Sequence, residues 1–257
     1  MSGTPLPTAR TAATYAYPHG RPQSARSSIL ANGHRHGSVT RLITPWDIGE
    51  VTHPFLLLNY AEVAQRARPL FTAYPPSGAM TLAPVLEGEL SFEDERGRRG
   101  EVGAGALAWL KAGSVVWHEG GPEARGPLRA FQLWIARLTA PHGPVASETV
   151  PAHDIEEDGP VRVLLGQFGG ARGRLRQAPP DINCFHVRLR DGQHFRYTAP
   201  AAHDVTVLTV DRGGLHLPGG ERVLWEQVAL FGPHSAAVEV RADGHTSFLL
   251  ASAKRVD

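Results

Sequence analysis

From residue 81 to residue 121 the chain turns every few residues, and no stretch between turns is long or periodic enough for a helix. Residues 81–86 are mostly apolar, Glu87-Gly88-Glu89 interrupts them, and Leu90 and Phe92 alternate with polar neighbours before a turn at Glu95-Arg96-Gly97-Arg98. Residues 106–110 are apolar again, Ala112-Gly113 punctuates, and Val115-Val116-Trp117 leads to His118. Short alternating runs with glycine at the corners are the pattern of antiparallel strands in a small barrel or sandwich. The chain reads as all-β.

The second half repeats this plan. Val187 and Leu189 alternate with arginines, Asp191-Gly192 turns, and Phe195 and Tyr197 alternate again. Residues 205–210 form a β-rich run ended by Gly213-Gly214, Pro218-Gly219-Gly220 marks a hairpin, and residues 227–233 echo 106–113. An internal repeat of strand units implies two barrels in one chain. We expect a flexible N-terminal tail at 1–28 and a first barrel at 29–140, entered by a strand at 38–43. A linker is expected at 141–160 and a second barrel at 161–257.

Composition narrows the function classes. Hydrophobic residues make up 42% and charged residues 20%, values that allow a real core. A net charge of +1 provides no strong field for nucleic acid or a membrane surface, so neither is expected as a partner. The single cysteine, Cys184, excludes an intramolecular disulfide framework and reads as a small buried residue. No apolar run reaches membrane-span length, and the start lacks an apolar leader, so a cytoplasmic protein is expected. The Pro-, Ser- and Arg-rich opening also has the look of an organelle transit peptide, but a plain tail is the preferred reading.

Several pieces in order resemble the pirin family of two-barrel cupins. They are His53-Pro54-Phe55-Leu56-Leu57-Leu58-Asn59-Tyr60, Val85-Leu86-Glu87-Gly88-Glu89, residues 103–113, Val116-Trp117-His118 and Phe131-Gln132-Leu133-Trp134. The resemblance implies a bicupin: two antiparallel β-barrels of the jelly-roll (cupin) type, monomeric. It also implies a site for a single transition metal (Fe, Mn, Ni or Cu) held by three His and a Glu, donors that suit those ions. Pirins carry the first two ligands in a His-Pro-His-[Arg/Ser]-Gly motif. This chain has Tyr74-Pro75-Pro76-Ser77-Gly78 there, so Tyr74 and Pro76 stand at ligand positions. His118 matches the third ligand and Gly120 stands at the fourth, while Glu119 is one residue off and alternation would send it to the opposite face.

With a degenerate metal motif, no cofactor and no catalytic residue are expected. The expected function is binding of a small apolar or aromatic ligand, or of a protein partner, at the former metal pocket of Tyr74, Pro76, His118 and Gly120. The alternative is a metal-dependent quercetin 2,3-dioxygenase-like oxidoreductase whose site is rebuilt around His118.

Other candidates carry plainer readings. Tyr74 could ligate as phenolate, but its pKa of about 10 favours a ring filling space. His203, His216 and His234 are three further imidazoles without the cupin ligand spacing. Glu87 and Glu89 match a turn better than a pair of catalytic carboxylates. The glycine pairs open no helix and cradle no phosphate. Residues 172–176, Arg-Gly-Arg-Leu-Arg, read as a solvated basic loop.

Overall fold

Strand Leu128–Ala136 shows what kind of structure this sequence needs. Phe131, Leu133 and Ile135 pack into one apolar cluster, while Leu128 and Ala130 pack into another. Side chains alternate across a strand, so a strand apolar on both faces must lie between two layers. The computed structural model supplies them as two antiparallel β-barrels. It describes residues 28–64, 79–94, 99–111, 115–119, 127–136, 146–176, 178–232 and 237–255, with backbone alone at 93–94, 111, 115–119 and 146.

The first barrel has a seven-stranded sheet. Its order is Ala146–Val150, Leu107–Lys111, Ala79–Glu87, Leu128–Ala136, Phe55–Val63, Val39–Ile43 and His34–His36. A three-stranded sheet, Arg99–Gly103, Glu89–Asp94 and Val115–Glu119, forms its other wall. The second barrel follows the same order with Ser28–Asn32, Gln227–Phe231, Val205–His216, Val238–Ala253, Ile182–Leu189, Val161–Leu165 and Glu157–Asp158. Here the long strand Val238–Ala253 also pairs with His194–Tyr197, so one strand serves both walls.

Matching the two orders strand for strand reveals an exchange. Ser28–Asn32, read from sequence as the start of the first barrel, is instead the edge strand of the second sheet, paired from Ser28↔Phe231 to Asn32↔Gln227. Leu30 packs into the second interior and Ala31 against the layer between the barrels, which draws the segment there. The corresponding edge of the first sheet is Ala146–Val150, inside the segment read as a linker. Its Val150 is buried in the shared layer, so that stretch is built into the first barrel. The expected entering strand is present as Val39–Ile43.

Three cores result. A shared layer between the sheets contains Leu58, Phe131 and Leu133 from the first half and Leu165, Val207 and Leu249 from the second. The second interior is filled by aromatic rings, with Phe185, Phe195, Phe248 and Tyr197 in edge-to-face contact. The first interior contains Ala61, Ala83, Ala106, Ala108 and Ala130 beside Val63, Val85, Leu90, Val102, Leu110 and Leu128. At its base Gly88 takes φ +76°, and a Cβ there would collide with the Pro127 carbonyl, so this turn requires glycine.

Truncating the rings that fill the second interior removes transfer energy and leaves a cavity. Phe248→Ala should lower unfolding free energy by about 3–5 kcal/mol, read from the midpoint of urea denaturation.

Candidate functional site

Alternation along two neighbouring strands sets what faces the first interior. Phe55–Val63 and Leu128–Ala136 pair in the rows Val63↔Leu128, Ala61↔Ala130, Asn59↔Gln132 and Leu57↔Trp134. The first two rows belong to the interior cluster, so Asn59, Gln132 and Trp134 follow them on the same face. All three side chains are buried. Asn59 Nδ2 donates to Gln132 Oε1 at 3.0 Å, which aligns the two amides. Asn59 Oδ1 and Trp134 Nε1 have no hydrogen-bond partner among the described residues. Thr81, opposite Trp134 on the next strand, is a further buried hydroxyl.

The second interior solves the same problem differently. Its strands Ile182–Leu189 and Val238–Ala253 pair in the rows Leu189↔Thr246, Val187↔Phe248, Phe185↔Leu250 and Asn183↔Ser252. Asn183 Nδ2 donates to the Tyr197 hydroxyl at 2.9 Å, and Asn183 Oδ1 accepts from Gln167 N–H at 3.1 Å. The Tyr197 hydroxyl bonds Ser252 Oγ at 2.7 Å, and His203 Nδ1 bonds the same Oγ at 2.8 Å. Burial raises the Tyr197 phenol pKa and lowers that of His203, so both are neutral members of a closed network.

Between the barrels lies a buried charge cluster. Asp211 Oδ1 meets His186 Nε2 at 3.1 Å, while Asp211 Oδ2 accepts from Ser247 Oγ at 2.8 Å and from Arg129 Nη1 at 3.2 Å. Arg129 comes from the first barrel, and its Nε also donates to Glu87 Oε2 at 2.8 Å. Tyr60 O–H donates to the Asp211 main-chain carbonyl, and its pKa is pushed up to about 12, chiefly by burial. The Asp211 side chain is 1% exposed. Burial acts to raise its pKa, but the His186 and Ser247 hydrogen bonds and the neighbouring cations outweigh it and hold the carboxyl below its ordinary value.

The residues singled out from sequence are distributed as follows. His118 lies in strand Val115–Glu119, its backbone opposite Ser91, whose Oγ is buried without a partner among the described residues. Tyr74, Pro76, Gly120 and His234 lie outside the described residues. His203 and His216 are not brought onto a common partner: His203 is on Ser252, and His216 faces Asp243 at 3.8 Å. Glu87 pairs with Arg129. The basic loop is paired with acids, Arg174 with Glu156 and Arg176 with Glu148. Cys184 is fully buried, and burial pushes its thiol pKa up, which makes it a poor nucleophile.

Among the described residues no three His, Cys, Asp or Glu side chains come together as a metal site. The donors at the four matched positions do not fit the implied metal either: Pro76 and Gly120 carry no side-chain ligand atom, which leaves one imidazole and one phenol. Sequence reading missed Asn59, Gln132, Trp134, His186 and Asp211. Polar residues inside otherwise apolar runs were the available signal.

Removing the Asp211 charge leaves Arg129 buried without its partner. Asp211→Asn should cost roughly 3–5 kcal/mol at pH 7. Because the folded carboxyl pKa is lowered, this contribution is present above the ordinary value and lost as pH falls through the folded one. The gap between wild type and variant should therefore narrow below about pH 4, measured by denaturant melts across pH.

Known proteins match this geometry. The Pirin family model matches residues 38–135. A Pseudomonas aeruginosa protein provisionally named quercetin 2,3-dioxygenase is 28% identical over 250 residues, covering 89% of this chain and 86% of its own. A pirin-like protein of Solanum lycopersicum is 30% identical over 204 residues, covering 76% of this chain and 68% of its own. The structure of the Escherichia coli pirin YhhW in complex with nickel(II) superposes with a TM-score of 0.66 at 16% identity, covering 89% of this chain and all of the other. The chain belongs to the pirin family, within the cupin superfamily.

Proposed function

We propose that this pirin is a binding protein whose first barrel takes a small aromatic or apolar molecule without a catalytic metal. The observation that carries this reading is the donor set at the four family ligand positions: Tyr74, Pro76, His118 and Gly120 offer one imidazole where the family arrangement needs three and a carboxylate. A lone imidazole does not retain a transition ion against competing cellular ligands. The alanine-rich, partly polar first interior supports the choice of barrel, since apolar walls with a few placed polar groups suit a small ligand. A protein partner at the same barrel end is a further role that the pocket residues would serve.

The opposed reading is a quercetin 2,3-dioxygenase-like enzyme with a site rebuilt around His118. The name of the Pseudomonas aeruginosa relative favours it.

One experiment separates them. Purified full-length protein and His118→Ala are analysed for transition metals and titrated with quercetin in air. Binding reading: metal well below one equivalent in both proteins, quercetin bound with quenching of tryptophan fluorescence, and no oxygen-dependent loss of flavonol absorbance. About one equivalent of metal that disappears in His118→Ala, together with quercetin consumption, would establish the enzyme instead.

A further inference from the structure

We propose that Asn59 and Trp134 form a hydroxyl-binding site inside the first barrel, facing a phenolic ligand. This rests on the binding reading above and assigns it to atoms.

The argument begins with orphaned polar atoms. Asn59 and Trp134 are 5% and 4% exposed, and both face the interior. Asn59 Oδ1 is an acceptor without a donor, and Trp134 Nε1 is a donor without an acceptor, among the described residues. A buried polar group left unpaired costs about 1–3 kcal/mol, so such atoms belong where something else pairs with them. Their relative placement is fixed by register. Asn59 is directly opposite Gln132, and Trp134 is two residues further on the same face. Diagonal neighbours of this kind lie about 7–8 Å apart at the backbone, within reach of one small group held between long side chains. The Asn59–Gln132 bond uses Asn59 Nδ2 and turns Oδ1 away from Gln132.

A ligand that satisfies both atoms must donate one hydrogen bond and accept one. A hydroxyl does both through a single oxygen. An amine cation would leave Trp134 Nε1–H unpaired, and a carboxylate would leave Asn59 Oδ1 facing negative charge. The walls beyond are apolar and small, with Ala61, Ala83 and Ala130 in the neighbouring rows, which suits a flat ring behind the hydroxyl. The second barrel serves as an internal control. Its equivalent strands carry Asn183 and Ser252, but Tyr197 and His203 supply their partners from within the chain, and phenylalanines occupy the space. In the second barrel the protein's own Tyr197 hydroxyl meets the asparagine; in the first, a ligand hydroxyl takes that part.

The test uses the full chain labelled with nitrogen-15 at the indoles, with the Trp134 signal assigned through Trp134→Phe. Phenol is the probe, and benzene, which lacks only the hydroxyl, is the comparison. Phenol at millimolar concentration should shift the Trp134 indole resonance. Binding should weaken about three- to tenfold in Asn59→Leu, as expected for one lost hydrogen bond to a neutral group. Trp134→Phe, followed through the phenol signals, should weaken it similarly and guards against misfolding of Asn59→Leu. The proposal is overturned if phenol leaves the Trp134 resonance unmoved, if benzene binds as tightly as phenol, or if both variants bind phenol like wild type. Quercetin bound equally by wild type and both variants would remove this site while leaving the binding reading intact. Stoichiometric metal with quercetin turnover would remove that reading instead.

Discussion

The two barrels stand or fall on the apolar layer between their large sheets. Strands Leu128–Ala136 and Val238–Ala253 are buried on both faces, and neither could be stable as an exposed surface. Burying Phe131, Leu133 and Ile135 against Val205, Val207 and Leu249 removes them from water but does not specify how one sheet is turned on the other, because apolar attraction has no direction. The Arg129–Asp211 contact does have one. A guanidinium reaching across from one barrel to a carboxylate already held by His186 and Ser247 has few acceptable geometries, so it selects a single seating of the two halves.

Once seated, the halves are free to diverge inside. Both are built in the same strand order, so a difference in their interiors reflects side chains and not topology. One interior is closed with aromatic rings and a satisfied polar chain. The other retains alanines and unpaired polar atoms. Filling maximises packing contacts and stability, whereas smaller residues and open hydrogen-bonding positions leave capacity for binding. The division of labour between a structural barrel and a receptive one is thus written in residue volume and hydrogen-bond satisfaction.

The sequence exposed the fold more fully than the site, for a physical reason. Strand positions follow from short-range alternation and corners such as Gly88, and those survive without knowledge of neighbours. The internal echo between residues 106–113 and 227–233 likewise corresponds to strands in matching places of the two sheets. What could not be read was anything fixed by long-range register. Asn59 meets Gln132 across 73 residues, and Arg129 meets Asp211 across 82. Nor does alternation say which sheet a short segment joins, and Ser28–Asn32 was therefore assigned to the wrong barrel. His186 sits in a run buried at almost every position, where its apolar neighbours masked it as one more core residue.

The exchanged strand has a consequence for the order in which the molecule can be assembled. Ser28–Asn32 is made first, yet its partner Gln227–Phe231 is made nearly last, with the whole first barrel between them. The second barrel therefore cannot finish its sheet from its own half of the sequence. Until the early segment docks, Gln227–Phe231 offers an open ladder of backbone groups, the kind of edge on which chains aggregate. Closing it joins the two ends of the described chain and draws a loop of long sequence separation, a slow step that makes the two barrels a single cooperative unit.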